Sequence, residues 1–290
     1  MSRHFGIIVD GTATLSEDLA RTFDIRILPM YVILGDKHYR AGVELTTAQF
    51  YERIKARGIT PETSQPTIVD CLDLYEAAIR DGYRELLVIT IAGELSGTYS
   101  VASTSAQQLG GDRARVEVVD SRSVAGGISL VATAAARVRE RGGSFDDAVA
   151  LARRLAGRVS LLAAADTLEY LRRSGRVSGG VALFATLLSV KPILEVTDGA
   201  VHAIDRVRTR EKAMERLRTL IAQRLPEGRR IHACVLSTND PERARTLGEW
   251  AQERYHCVEY FQAEGGPVLG ARAGPGAIGL CWYPEEALEA

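Results

Sequence analysis

The stretch Glu94-Leu-Ser-Gly-Thr-Tyr-Ser100 comes nearest to a binding chemistry. It follows the apolar run 86–91, which reads as a buried strand, and precedes 101–109, which reads as a helix. Ser96 and Gly97 therefore stand at a strand-to-helix junction, with Ser96 the expected N-cap. The first amides of such a helix lack intrahelical partners, and the helix dipole puts partial positive charge beside them. Gly97 admits a ligand close to the backbone, and the Ser96 and Thr98 hydroxyls can donate. That is an anion site for a carboxylate or phosphate. A serine-capped helix with nothing bound has the same sequence.

Further hydroxyl, acidic and arginine residues fall in loops after expected strands: Asp10 and Thr12, Thr63 and Ser64, Asp120 and Ser121 to Ser123, Arg176, Arg208 and Arg272. In open parallel sheets, ligands bind beyond the carboxyl ends of the strands. Singly, each residue serves equally well as a cap, a turn or a surface charge. Jointly they meet the needs of an anionic head group.

Other candidate chemistry is rejected. Gly274-Pro-Gly-Ala-Ile-Gly279 spells GxGxxG, but a dinucleotide fingerprint must open a helix within a βαβ unit, and here a strand is expected to follow. His4, His38, His202, His232 and His256 share no metal-ligand spacing, so no metal site is expected. Cys71, Cys234, Cys257 and Cys281 form no CxxC pair, which suits a reducing cytoplasm better than a disulfide framework. Neither a Walker A loop nor an HExxH motif is present, so no cofactor is expected and catalytic residues are assigned to none. His232 and Cys234 alternate along an expected strand and should share a face, which core packing accounts for.

The elements that must position these residues alternate strand and helix throughout 290 residues, long enough for two domains. Hydrophobic content of 46% and charged content of 25% are those of an ordinary globular chain, and a net charge of −1 gives no electrostatic case for nucleic acid. The first residues carry no apolar h-region, and no run approaches a spanning helix. Strands are expected at 5–9, 26–34, 86–91 and 116–120. Helices should start at Ser16, at the capping-box spacing Thr46-x-x-Gln49, near Thr67, after Ser123 and at Ser144. The stretch 61–66 reads as a loop. Short, continuously apolar strands between helices predict a parallel sheet covered on both faces. The style changes near residue 158. Asp198-Gly199 between two apolar runs signals a hairpin, so the remainder predicts a mixed sheet. The fold class is therefore α/β: an N-terminal three-layer α/β/α domain over 1–157 and a C-terminal α/β domain over 158–290 that closes over the ligand.

These pieces together resemble the DegV family. The matching segments are Ile8-Val-Asp-Gly-Thr12, Thr63-Ser-Gln-Pro66, Leu95-Ser-Gly-Thr-Tyr99, Val119-Asp-Ser121, Thr167-Leu-Glu-Tyr-Leu171 and Ser174-Gly-Arg176. Lys191-Pro-Ile-Leu194, Asp198-Gly199, Arg208-Thr-Arg210 and Gly274-Pro-Gly276 complete the set in family order. The resemblance implies a long-chain fatty acid held between the two domains, its carboxylate on Thr63 and Ser96. It further implies a non-enzymatic carrier that presents the fatty acid to a separate ATP-dependent fatty acid kinase. The acyl phosphate would then feed phospholipid synthesis. Arg176 and Arg208 match positions tied to the head group and kinase docking. Cytoplasmic localisation, with room for transient membrane contact, goes with this reading.

Two positions depart from the family. Asp10-Gly11-Thr12 replaces Asp-Ser-Thr and loses a hydroxyl. Arg272 stands where a histidine is usual. A guanidinium is permanently charged and binds a carboxylate bidentately, so ligand binding survives the exchange more easily than phosphorylation does. Arg272 is expected to face the site from a flexible small-residue segment, pairing with the ligand or otherwise with Asp10 or Glu94. The stretch 182–190 is expected to line the acyl tube, although an ordinary core helix reads the same way. The alternative function is a phosphotransferase or hydrolase acting on a small phosphorylated substrate at the same anion site. A regulatory fatty-acid sensor would look no different from a carrier.

Overall fold

The computed structural model describes residues 5–57, 60–178 and 190–289. Its N-terminal sheet has the order β2 (Ile25–Leu28), β1 (Gly6–Asp10), β6 (Glu85–Thr90), β7 (Arg115–Asp120), all parallel. A small antiparallel sheet joins β4 (Lys37–Arg40), β3 (Tyr31–Leu34) and β5 (Glu62–Ser64). The C-terminal sheet is mixed. Its order is β13 (His256–Glu264), β12 (Arg230–Ser237), β14 (Ile278–Pro284), β8 (Ser160–Ala164), β10 (Lys191–Thr197), β11 (Ala200–Val207) and β9 (Val177–Ser178). Within it, β12–β13 and β9–β11 pair parallel and the other neighbours antiparallel.

The apolar alternation of the first sheet decides its layers. Ile8, Leu86 and Val88 pack against Tyr75 of α3 (Ile68–Arg80) and Ala102 of α4 (Thr98–Leu109). On the opposite face Ile7, Val9, Leu87 and Ile89 meet α5 (Gly126–Glu140) and α6 (Phe145–Leu155). The same core continues into Leu161, Cys234 and Cys281 of the second sheet. The far face of that sheet is covered by α8 (Arg210–Arg224) and α9 (Pro241–Arg254) through Leu217 and Leu247. Helix α5 thus lies between two sheets and is buried along nearly its whole length, which is why its sequence is apolar all round. Small residues let the sheets close on it. A Cβ on Gly126 would stand 2.7 Å from Cys234 Sγ and 2.9 Å from Cys281 Sγ.

Expected caps form at Ser16, Thr46, Thr67 and Ser144, each hydroxyl accepting an amide of its helix's first turn. Asp198 (φ 54°) and Gly199 (φ 79°) turn β10 into β11 as an Asp-Gly hairpin, since both central positions need φ > 0. Three expectations are corrected. The stretch 26–34 is two strands in two sheets, broken at Pro29, which has no N–H to continue a ladder. Within 61–66, β5 pairs with β3 through Thr63 opposite Val32. The segment carrying Arg272 is helix α10 (Pro267–Ala273), with proline in its first turn and Gly274 (φ 75°) ending it. The expected tube-lining stretch 182–190 lies outside the described residues except for Val190. Among the described residues no helix is long and apolar enough to cross a membrane.

Candidate functional site

A cavity of about 350 Å³ opens where the loops of the first sheet meet α10 and the hairpin of the second. That volume lies within the small-molecule range of about 300–1,000 Å³. Apolar walls come from Met30, Ile91, Leu95, Val124, Val201 and Leu269. Polar groups come from Thr12, Thr63, Ser64, Gln65, Ser96, Arg176 and Arg272.

The loops are set by buried polar bonds. Asp10 is fully buried at the end of β1. Its carboxylate accepts the Thr12 amide at 2.8 Å and the Ile91 amide at 2.5 Å, and also the Thr12 hydroxyl. Burial raises its carboxyl above the usual carboxylate range, against the pull of those hydrogen bonds. Asp120 accepts the Gly93 amide at 3.1 Å, and Ser121 accepts the Ser123 amide at 3.1 Å. Asp10, Asp120 and Ser121 therefore brace the loops and do not line the cavity.

The junction after β6 differs from expectation. Gly97 is the N-cap of α4, and Ser96 lies one residue before it. The Ser96 hydroxyl accepts the Thr98 amide at 3.3 Å and stands 2.8 Å from Thr98 Oγ1. Thr98 itself is fully buried behind Ser96, its hydroxyl 3.6 Å from Met30 Sδ, so it is not part of the cavity wall. Gly97 is needed because the Gln65 side chain covers it; a Cβ there would stand 2.2 Å from Gln65 Oε1.

Across the cavity, Arg272 Nε donates to Thr63 Oγ1 at 2.8 Å and Nη2 donates to the Thr63 carbonyl at 3.2 Å. The expectation that Arg272 pairs with Asp10 or Glu94 is not met. Asp10 is consumed by its own loop, and among the described residues no carboxylate lies within ion-pair distance of Arg272. Burial and the nearby Arg176 guanidinium bring Arg272 down to about 10, partly offset by Glu62. Arg176, more exposed, borders both this cavity and a second recess outside Thr63 and Arg272. Arg208 is exposed and forms no part of either wall.

A family model described as "uncharacterised protein, DegV family" matches residues 4–285. The chain belongs to the DegV family. A DegV domain-containing protein of Streptomyces coelicolor is 33% identical over 282 residues, covering 97% of this chain and 98% of that one. Among solved structures, DegV of Bacillus subtilis, described as a fatty acid binding protein, superposes with a TM-score of 0.86 at 29% identity, covering 97% and 99% of the two chains. A DegV family protein of Thermus thermophilus, described by its fatty acid binding, gives 0.85 at 30% identity and the same coverage.

Against this DegV background, the glycine at position 11 packs tightly: its missing Cβ would lie 3.3 Å from Met30 Cγ and 3.4 Å from the Leu28 carbonyl. Gln65 and the apolar wall escaped the sequence reading. Gln65 carried a signal in its place between Ser64 and Pro66. Leu269 and Val201 carried none, because an apolar residue facing a cavity and one facing a core look alike in sequence.

Proposed function

We propose that this DegV-family chain is a non-enzymatic carrier that binds a long-chain fatty acid between its N-terminal and C-terminal domains. The carboxylate is held by Arg272, Thr63 and Ser96, and the acyl chain runs along the apolar wall. The observation that carries the reading is Arg272: a half-buried guanidinium at an apolar cavity, with no carboxylate partner among the described residues. A buried cation without a counter-charge is costly, and a bound carboxylate removes that cost. The related Bacillus subtilis and Thermus thermophilus proteins are described as binding fatty acids, the same ligand class.

The hydroxyls suit this role through their own bonds. Thr63 Oγ1 already accepts from Arg272, so its proton is directed to another acceptor. Ser96 accepts the Thr98 amide; when Thr98 donates its hydroxyl to Ser96 rather than to Met30, the Ser96 proton is free for the ligand. Asp10, Thr12, Ser64 and Gly97 shape the loops around this head group. Presentation to a separate ATP-dependent fatty acid kinase, with Arg208 and Arg176 on the docking side, completes the proposal and rests on the family resemblance. Division into domains near residue 157 belongs to it too.

Titration with saturated fatty acids of increasing length tests the reading. Affinity is expected to rise by about fourfold per methylene, from ~0.8 kcal/mol per buried CH₂, until the apolar wall is filled. Equal affinity for acetate and a long-chain acid would contradict it.

A further inference from the structure

Strand β7 ends the N-terminal sheet, and among the described residues no strand pairs with its outer side. The Arg115 amide donates to the Arg84 carbonyl at 2.9 Å, and the Ser121 amide to the Thr90 carbonyl at 3.0 Å. The odd-numbered residues of β7 therefore bond to β6. Peptide groups alternate in direction along a strand, so those of Val116 and Val118 point outward.

The side chains alternate between the two faces. Val116 and Val118 pack on the core that includes Ala102 and Leu109 of α4. On that face a groove of about 640 Å³ follows the edge, lined by Ala114, Val116 and Val118 and by Tyr99, Ser103 and Ala106 of α4. Arg115 and Glu117 lie on the other face, beneath α6. Arg115 Nη2 stands 2.7 Å from Asp146 Oδ1 and 3.4 Å from Glu117 Oε1, and Arg153 Nη2 stands 2.6 Å from Glu117 Oε2. Glu85, 4.0 Å from Arg115, completes a strip of two cations and three carboxylates.

An open strand edge beside an apolar groove is a template for another strand. The charges on β7 fit a second copy of β7 in one register. We propose that two copies of this chain pair β7 with β7, antiparallel about a two-fold axis at Val116, joining their four-stranded sheets into one. Val116 of each copy then exchanges both peptide hydrogen bonds with Val116 of the other. Ala114 meets Val118, small facing large, and Arg115 meets Glu117 on both sides of the axis. Centring the pair one residue earlier sets Arg115 against Arg115, and one residue later sets Glu117 against Glu117. Like charges directly opposite are destabilising, so neither neighbouring register competes. Centring at Val118 leaves Glu117 opposite Val119 and draws in Asp120, which already holds the Gly93 and Arg122 amides. The axis lies toward the start of β7, while the ligand cavity lies beyond the strands' carboxyl ends, so both cavities stay open.

Sedimentation velocity of the full chain over a wide concentration range tests the pairing. A dimer of twice the 31.5 kDa chain is expected. Arg115→Glu and Glu117→Arg should each weaken it by about tenfold or more, because two opposite-charge pairs become two like-charge pairs. Mixing the two variants in equal amounts should restore a dimer, since each copy then supplies the charge that the other lacks. Both variants should melt within a few degrees of wild type, as exposed ion pairs add little stability. Ile27→Lys, on the opposite edge strand β2, should leave the dimer unchanged. A monomer at every concentration, an unchanged dimer in either charge variant, or no dimer on mixing two folded variants overturns the proposal. Loss of the dimer in Ile27→Lys with β7 intact overturns it as well, since it places the contact on the other edge.

Discussion

Arg272 and Thr63, 209 positions apart in sequence, are joined by two hydrogen bonds, from Nε to the hydroxyl and from Nη2 to the carbonyl. The contact ties α10 to the edge strand β5 and aims a guanidinium and a hydroxyl at one cavity.

Replacing Arg272 separates binding from stability. Arg272→Met is expected to weaken fatty-acid affinity by about 1.5–3 kcal/mol, the worth of a hydrogen bond to a charged group. Ligand-free stability should be unchanged or raised, because burial works against the charge in the empty site. Titration with a fluorescent fatty acid and denaturant unfolding check the two halves. A large stability loss with unchanged affinity would make Arg272 a structural residue.

The affinity of the native chain should be flat from pH 6 to 8. Arg272 is lowered from 12.5 to about 10, and a fatty carboxylate of ordinary pKa is ionised throughout that range. The sign at high pH follows: below about 10 the guanidinium is charged and binds the anion, and affinity falls as pH rises through about 10. Arg272→His should instead introduce a step near pH ~6.5, with weaker binding above it. A step near 6.5 in the native chain would contradict the assignment.

Ser96→Ala is expected to cost about 1.5–3 kcal/mol of binding. Because Gly97 is the N-cap, the mutant should lose little stability, on the order of 0.5–1 kcal/mol for the Thr98 amide bond. Calorimetric titration and thermal unfolding measure both. A stability loss without a binding loss removes Ser96 from the site.

Gly97→Ala places a methyl where Gln65 Oε1 now lies. Gln65 is long and exposed, so it should swing away, and the backbone at φ −70° accepts alanine. Folding should survive within about 1 kcal/mol. Binding should fall severalfold as the cavity wall opens, and titration decides.

Arg208→Ala should leave fatty-acid affinity unchanged, since Arg208 lies outside the cavity wall. In an assay with the proposed fatty acid kinase partner, phosphoryl transfer should fall. Proportional losses in both would make Arg208 a head-group ligand.

Much of this was legible in sequence because local chemistry dictates it. Strand β6 is apolar through both faces, Ser144 and Thr67 spell their own caps, and Asp198-Gly199 can turn only one way. What was missed depends on tertiary context. Strand β5 exists because β3 offers an edge, and nothing in Glu62-Thr-Ser64 demands a strand. Helix α10 is short and rich in glycine and alanine, and it is held by packing of Val268 and Ala271 on Phe50 and Val32. The partner of Arg272 was misread because the choice among Thr63, Asp10 and Glu94 depends on distance, which spacing in the chain does not carry. Asp10 looked available, yet three bonds within its own loops already occupy it.

Native mass spectrometry of the purified chain, followed by solvent extraction, tests the central claim most directly. The account predicts a co-purified long-chain fatty acid in wild type and its depletion in a Ser96→Ala, Arg272→Met double variant. A chain that retains a phosphorylated small molecule, or a fatty acid held equally well by the double variant, would contradict it.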